Sequence, residues 1–424
     1  MSHRRIIKPS LNVYMLKNPD INQQYTDALD QAFQEEPNSD IEKLHQDIID
    51  QLHQVTSEIC EEQNTTNRKQ PWENEELRKL IKSQSESNDK EVLKAIRRKV
   101  KYTREKLMNE YYSRKADSIN NASEARKIDR EFAEAKKYNM HKQTQKLLVS
   151  KETLNKHFEK HFSENDIPMP EELQHPENSC LKDTMNNAID VDESPPHVDE
   201  VKKTLGNMKN GKCEGLDKIK MEQIKYGKHS DMFINYLLTL LTLVWTSIIV
   251  PSLWIQSRIS SIFKKGKQSD PANYRAISVT ATLSRLIPTI IMNRISTAYN
   301  RSLEQTQFGF RRNKGCDNAI FILRNITDRS SPTQMYISFI DLTAAYDKIP
   351  RKLLFRALDI RLGCHHIISL LKAIYTGTTA TITGLRKSFS IETGCRQGGI
   401  ESPVLSNIYF DTVCRVLNHE LKQA

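Results

Sequence analysis

Four local patterns follow one another between Pro251 and Asp411, and their order constrains this chain more than any single residue in it. The first joins two β-prone runs, Ile259–Phe263 and Tyr274–Val279, through Lys264-Lys265-Gly266-Lys267. Such an arrangement predicts a hairpin that can present lysine and arginine on one side, although basic hairpins are common on protein surfaces. The second is Gln307-Phe308-Gly309-Phe310-Arg311-Arg312, in which aromatic, glycine and arginine residues alternate. That mixture suits stacking on bases and contact with phosphates, and equally an ordinary turn with a packed phenylalanine. In the third, the compact run Met335–Ile340 predicts a strand ending at Asp341. A carboxylate at the end of a buried strand is costly unless a cation meets it, and a divalent metal is the natural candidate. Ala344-Ala345-Tyr346-Asp347 and Pro350 then lead into a helix carrying Leu353, Leu354, Ala357 and Leu358, for which Asp347 reads as an N-cap. The fourth, Gly394-Cys395-Arg396-Gln397-Gly398-Gly399, precedes a helix with Leu405, Ile408 and Tyr409. Its glycines allow close backbone approach to a ligand, and Arg396 and Gln397 offer donors to a nucleotide.

The rest of the chain sets the context. With 424 residues the length suggests roughly three domains. A net charge of +10 and a pI near 9.1 point towards a polyanionic partner. Seven scattered cysteines without a C-x-x-C pair carry no zinc-finger or redox signature. They read as reduced thiols of an intracellular protein, cytoplasmic or nuclear. The start shows no signal peptide. Met232–Val250 is nearly long enough to cross a bilayer, but Asn235, Thr239, Thr242 and Thr246 make a buried core helix the better reading, with no membrane partner.

Residues 1–65 read as a polar, weakly patterned segment with an amphipathic helix around Ile41–Ile59. Residues 66–163 read as a basic helical region. There Val92, Ile96, Val100, Leu107 and Tyr111 share one face, and Lys94, Arg97, Arg98, Lys99, Lys101, Arg104 and Lys106 occupy the others. Such a helix can lie along a phosphate backbone or simply carry a solvated face. His157 and His161 are spaced i, i+4, but Phe158 stands where a zinc protease needs glutamate, so no metal is expected there. Residues 164–197 are acidic and Pro-containing and read as a linker; a second domain is expected over 198–424, its first helix striped by Val198, Val201, Leu205 and Met208.

In this order the four patterns closely resemble the reverse transcriptase domain, most of all that of non-LTR retrotransposons. The matching text is Trp254, Phe263-Lys264-Lys265-Gly266, Asn273-Tyr274-Arg275-Ala276-Ile277-Ser278, Gln307-Phe308-Gly309-Phe310-Arg311, Phe339-Ile340-Asp341-Leu342, Ala345-Tyr346-Asp347 and Arg396-Gln397-Gly398-Gly399. Upstream, Asn210-Gly211-Lys212 and Gly215-Leu216-Asp217 resemble the element that precedes the fingers. The resemblance covers about 200–424. It implies an α/β (α+β) architecture: a helical N-terminal region, then fingers and a partial palm on a small antiparallel sheet. It also implies two-metal, RNA-directed DNA synthesis with Mg2+, an RNA template, a DNA primer and deoxynucleoside triphosphates.

By the same resemblance Asp341 is the catalytic, metal-binding aspartate, with the Leu342 carbonyl as a further metal ligand. Tyr346 is the steric gate beneath the incoming sugar. Lys264 or Lys265, with Arg275, holds the triphosphate, and Gln397 and Gly398 pack against the nucleotide. Arg311 lies along the template. Independently of the resemblance, Arg312 and Arg396 are candidate nucleic-acid contacts from their loops, as are Arg97, Arg98 and Lys101 of the basic helix if its face meets phosphates rather than solvent.

The match fails at one place. The family's Tyr/Phe-x-Asp-Asp hairpin supplies the second metal-binding aspartate, and residues 1–424 contain no Asp-Asp pair. Tyr409-Phe410-Asp411-Thr412 imitates it, but on a helix and with threonine in the last place. The expectation is therefore a fragment without polymerase activity by itself, or a non-catalytic RNA-binding remnant, with an unpaired palm edge strand and uncovered apolar surface. Ala276, Ser406 and Cys213-Glu214 also depart from the family's usual residues, and residues 1–165 resemble only the connecting region.

Overall fold

The computed structural model describes residues 10–60, 62–63, 74–86, 90–124, 148–163, 167–311, 313–329 and 335–423. They fall into two compact units: Met1–Ser10 with Glu62–Leu147, and Leu11–Glu61 with Leu148–Ala424. In the first, the helix Glu75–Glu86 packs against the long helix Lys90–Glu124, with Leu77, Val100 and Thr103 buried.

The larger unit begins with α1 (Pro19–Ala32) and α2 (Ile41–Ile59). The Asn18 side chain accepts the Asp20 N–H and the Asp40 side chain the Lys43 N–H, so both helices start on side-chain caps. Tyr25, Leu29 and Phe33 of α1 and its end, and Leu44, Ile48, Leu52 and Val55 of α2, join the principal core. The segment that composition marks as polar thus builds the core, because few apolar residues suffice when they fall at helical spacing.

Residues 167–197 also differ from the linker expected of them. Leu173, Leu181, Ile189 and Val191 are buried, and Ile189 bridges to Leu362. The Glu193 carboxylate accepts the backbone N–H of His366, at the start of a helix, where anions are favoured. Arg294 binds Glu200 in a two-point pair and also reaches the Asp192 and Ser194 carbonyls. Acid-rich composition here supplies anchors for cations and helix ends.

After α3 (Lys151–His161) and α4 (Val198–Asn207) comes α5 (Asp231–Ser247), whose Phe233, Leu237, Leu240, Leu241, Val244 and Trp245 are buried. The core helix expected over Met232–Val250 is there, and no helix among the described residues is long and apolar enough to cross a membrane. It ends at Ile248 in a left-handed conformation, φ +60°.

The hairpin expected at 259–279 forms. Strand β1 (Gln256–Phe263) pairs antiparallel with β2 (Tyr274–Thr280) from Ser257↔Thr280 to Phe263↔Tyr274. Helices α6 (Leu286–Ser302), α7 (Cys316–Arg329), α8 (Arg351–Arg361) and α9 (His365–Tyr375) then lead to β3 (Thr379–Ile382) and β4 (Ser388–Ser390), and α10 (Ser402–Gln423) follows. β3 runs parallel to β1 and antiparallel to β4, so the sheet is mixed, in the order β2-β1-β3-β4, where an antiparallel one was expected. The long helical crossover between β1 and β3 is what permits the parallel pair. Leu154, Phe158 and Phe162, on α3 and its end, cluster with Ile259, Tyr274, Ala276, Ala380 and Phe389 on the sheet.

Met335–Leu342 departs from expectation. It forms no strand, and Tyr336, Phe339 and Ile340 are 90, 84 and 82% exposed. Apolar, β-prone residues make a strand only when a neighbouring backbone takes their N–H and C=O groups, and no described strand pairs with this one. Ile320, Phe321, Ile322 and Ile326 of α7 are likewise exposed. Both segments thus leave apolar side chains exposed.

Two buried titratable groups lean in opposite directions. Trp254 Nε1 donates to His45 Nε2 at 3.0 Å, which requires a neutral ring, and burial pushes the His45 pKa down to about 4 against the pull of Glu42. Burial pushes the Asp217 carboxyl up to about 6, although it accepts the Thr282 and Ile219 N–H groups at 2.5 and 3.3 Å. His45 therefore contributes stability that is present above its unfolded pKa near 6.5 and lost as pH falls towards 4. Asp217 contributes stability present below its unfolded value and lost as pH rises through 6. Each is worth about 3 kcal/mol from the shift, so the two offset one another in this window. His45→Gln is expected to remove one side of the balance. Urea denaturation at pH 4 and 6.5 should show the variant losing about 3 kcal/mol at the higher pH relative to the parent. An unchanged pH profile would refute the assignment.

Candidate active site

The fourth sequence pattern doubles back onto the third. Gly394 N–H donates to the Ile349 carbonyl and Cys395 N–H to the Tyr346 carbonyl, each at 2.8 Å. These bonds lay residues 394–397 alongside 346–349. Gly394 has φ +82°, and a Cβ there would stand 2.5 Å from the Asp347 carbonyl oxygen, so only glycine allows this approach. One step on, Ser278 N–H donates to the Gln397 carbonyl at 2.9 Å, tying the loop to β2. Gly398, at φ +106°, is exposed at the turn.

The result is a cluster drawn from three distant stretches. Gln397 Nε2 donates to Asp347 Oδ1 at 2.6 Å, and His161 Nε2 lies 3.3 Å from Asp347 Oδ2. Lys348 Nζ donates to the His161 carbonyl. Asp347 is buried and does not cap the following helix, whose N-cap is Pro350. Its carboxylate instead fixes which way the Gln397 amide points, leaving Oε1 as the free end of that side chain to meet a ligand. His161, whose i, i+4 spacing with His157 raised the question of a metal, serves as the second partner of that carboxylate.

Tyr346 sits beside this cluster, half-buried, with its ring edge-on to Phe310 at 6.0 Å. Burial pushes its phenol up, with a hydrogen bond from Ser406 in opposition. The Gln307–Phe310 loop is anchored on α10: Asn407 Nδ2 donates to the Gly309 carbonyl at 2.8 Å, and Gln307 Nε2 donates to Asn407 Oδ1. Phe310 adopts φ +54° in this turn.

The structure thus brings together Tyr346, Gln397 and Gly398 of the residues singled out from sequence, and adds Asp347, His161 and Phe310. Lys264, Lys265 and Arg275 are exposed on the hairpin. Asp341 and Leu342 lie exposed on the coil segment just upstream of Tyr346. Among the described residues no three His, Cys, Asp or Glu side chains converge on a common point. Asp341 and the Leu342 carbonyl are oxygen donors, the type Mg2+ selects, and that ion is commonly held by one or two carboxylates together with substrate phosphates and water. The donors present fit part of such a site.

Two arginines are committed elsewhere. Arg396 is buried, donates to the Ile374 carbonyl and stacks 5.2 Å from the Tyr375 ring, while Tyr375 Oη donates to Glu401. Arg311 spends its donors on the Asn300 side chain and carbonyl and on the Glu304 and Gln307 carbonyls. In this geometry both brace their own loops, an outcome that their cationic character alone does not reveal. Arg312 lies outside the described residues, and Arg97, Arg98 and Lys101 are exposed on the long helix of the smaller unit.

Asp411, within the Tyr409-Phe410-Asp411-Thr412 text, is fully buried on α10. It accepts the Glu304 N–H and Arg415 Nε at 2.9 and 2.8 Å and lies 3.3 Å from Arg361, itself buried. It is the centre of a structural ion cluster and offers nothing to a metal. The i, i+4 spacing of Asp411 and Arg415 was the available signal for this role.

Residues 262–423 match the reverse transcriptase (RNA-dependent DNA polymerase) family. Over 228 residues the chain is 27% identical to the RNA-directed DNA polymerase from mobile element jockey of Drosophila funebris, which covers 51% of this chain and 24% of that protein. It is 28% identical over 169 residues to the retrovirus-related Pol polyprotein from type-1 retrotransposable element R2 of Popillia japonica, covering 38% and 23%. The probable RNA-directed DNA polymerase from transposon BS of Drosophila melanogaster is 24% identical over 262 residues, 60% and 28%. Residues 262–423 therefore carry a reverse transcriptase domain, similar to those of non-LTR retrotransposons. It spans about a quarter of the length of these relatives.

Proposed function

We propose that the larger unit is the nucleotide-binding part of an RNA-directed DNA polymerase, and that residues 1–424 alone do not polymerise. The observation that carries this reading is the backbone pairing that lays the Gln397-Gly398 loop beside Tyr346, with the Gln397 amide held by the buried Asp347 carboxylate. Tyr346 would lie beneath the sugar of an incoming deoxynucleoside triphosphate and disfavour a 2′-hydroxyl. Gln397, its amide held by Asp347, would present Oε1 to the nucleotide, while Gly398 leaves its backbone open to close approach. Lys264, Lys265 and Arg275 on the hairpin would meet the triphosphate charge that grows as pyrophosphate leaves. When bound by Asp341 and the Leu342 carbonyl, Mg2+ would lower the cost of bringing the primer hydroxyl and the phosphates together. A two-metal centre needs a second acidic ligand set. The adjacent aspartates that supply it in this family do not occur in residues 1–424, and Asp411 is occupied by Arg361 and Arg415.

Primer extension on an RNA template with Mg2+ and deoxynucleotides tests this. Residues 1–424 are expected to extend no more primer than the Asp341→Ala variant. Extension by the parent but not the variant would overturn the inactivity, and extension by both would overturn the role of Asp341. The second reading, a non-catalytic RNA-binding protein, is favoured by one further observation: the exposed basic face of the long helix Lys90–Glu124.

A further inference from the structure

The long helix of the smaller unit sorts its residues sharply. Val100 and Thr103 are buried and Leu93, Ile96, Leu107 and Tyr111 partly so, whereas Lys94, Arg97, Arg98, Lys101 and Arg104 are all exposed. At 100° per residue those five cations fall within one third of the helix circumference, an arc that borders the buried side. Residues 94–104 contain no acidic side chain, and among the described residues none of the five takes part in an ion pair. Beside this stripe Tyr102 is 70% exposed, one turn from Arg98 and one turn from Lys106. A solvated charged face needs no aromatic ring standing in it.

We propose that this face binds an unpaired stretch of RNA, with phosphates along Lys94, Arg97, Arg98, Lys101 and Arg104 and a base stacked on Tyr102. Charge complementarity selects a polyanion, and the exposed ring selects one whose bases are unstacked and can offer a π-face. An RNA duplex hides those faces, and its major groove is too narrow and deep to admit a helix. The choice of RNA over DNA rests on the polymerase reading; the choice of a single strand does not.

The test is fluorescence anisotropy of the whole chain with a labelled unstructured RNA 12-mer across a salt series. Tyr102→Leu, which keeps an exposed apolar residue of good helix propensity, is expected to weaken binding by roughly tenfold without changing the salt slope. Tyr102→Trp should retain or tighten it. The double variant Arg97→Gln, Lys101→Gln should lower the slope by about 1.4, at roughly 0.7 for each phosphate no longer neutralised. The matching duplex should be indifferent to Tyr102→Leu. Unchanged single-strand affinity in Tyr102→Leu overturns the proposal, as does an equal loss on the duplex or displacement by a polyglutamate peptide of equal charge. Tighter binding of the same sequence as DNA overturns the choice of RNA. Gln397→Ala and Lys265→Gln separate this face from the polymerase site: the Tyr102-dependent share of binding should survive both. If they abolish it, the RNA sits on the fingers and the helix proposal fails while the polymerase reading stands.

Discussion

Asp411→Ala is expected to destabilise the larger unit by about 3–5 kcal/mol, a large share of the roughly 5–15 kcal/mol that holds a folded domain together. The reason is what it leaves behind. Arg361 is buried, and desolvation already works against its charge; Asp411 is the carboxylate that offsets this. Removing it strands a guanidinium in the core and also releases the Glu304 N–H and Arg415. Urea denaturation would report the loss. The control is the apolar pair Arg361→Met, Asp411→Leu, which should recover most of the stability, because two well-packed neutral side chains need no mutual compensation. If the single variant costs less than about 1 kcal/mol, the cluster is solvated and the pairing is not a buried one.

Gly394→Ala is expected to separate the two halves of the candidate site. An added methyl meets the Asp347 backbone, which cannot swing aside as a flexible side-chain tip can, and the residue must also hold φ +82°. Together these should cost about 2–4 kcal/mol locally. The bonds at risk are those from Gly394 and Cys395 to Ile349 and Tyr346, and with them the Gln397–Asp347 contact. Hydrogen exchange should rise over 346–349 and 394–398 while α5 and α2 keep their protection. Unchanged exchange across the loop would show that the close approach does not hold the site together.

The parts of this fold that sequence reveals are those whose determinants are local. The hairpin at 256–280 is written in β-branched runs on either side of a Lys/Gly turn, and α5 in a long apolar run opened by the Ser230 cap. The run 335–340 has the same local character as β1, yet it is exposed coil, because a strand also needs a partner that its own residues do not specify. Composition discounts residues 11–61, although the spacing of Leu44, Ile48, Leu52 and Val55 already encodes a buried face. At the site, Tyr346, Gln397 and Gly398 are legible as motif residues. Asp347 as the holder of Gln397 is not, since the two are fifty positions apart and nothing in either neighbourhood names the other. Arg396 and Gln397 look equivalent as donors; only the fold turns the first inward to Ile374 and the second towards the open loop.

The larger unit is discontinuous, with Leu11–Glu61 separated from Leu148–Ala424 by the smaller one. This has a consequence for the order in which the protein can be made. Tyr25 Oη donates to the Gln223 carbonyl, and Trp254 to His45, across 198 and 209 positions. At roughly 5–20 residues per second, a ribosome delivers those partners some 10–40 s after the first helices have emerged. Throughout that interval Leu29, Leu44, Ile48 and Leu52 have nothing to bury against except each other. Nascent α1 and α2 are therefore a natural client for a holding chaperone, and the completed unit a fold that closes from its C-terminal side.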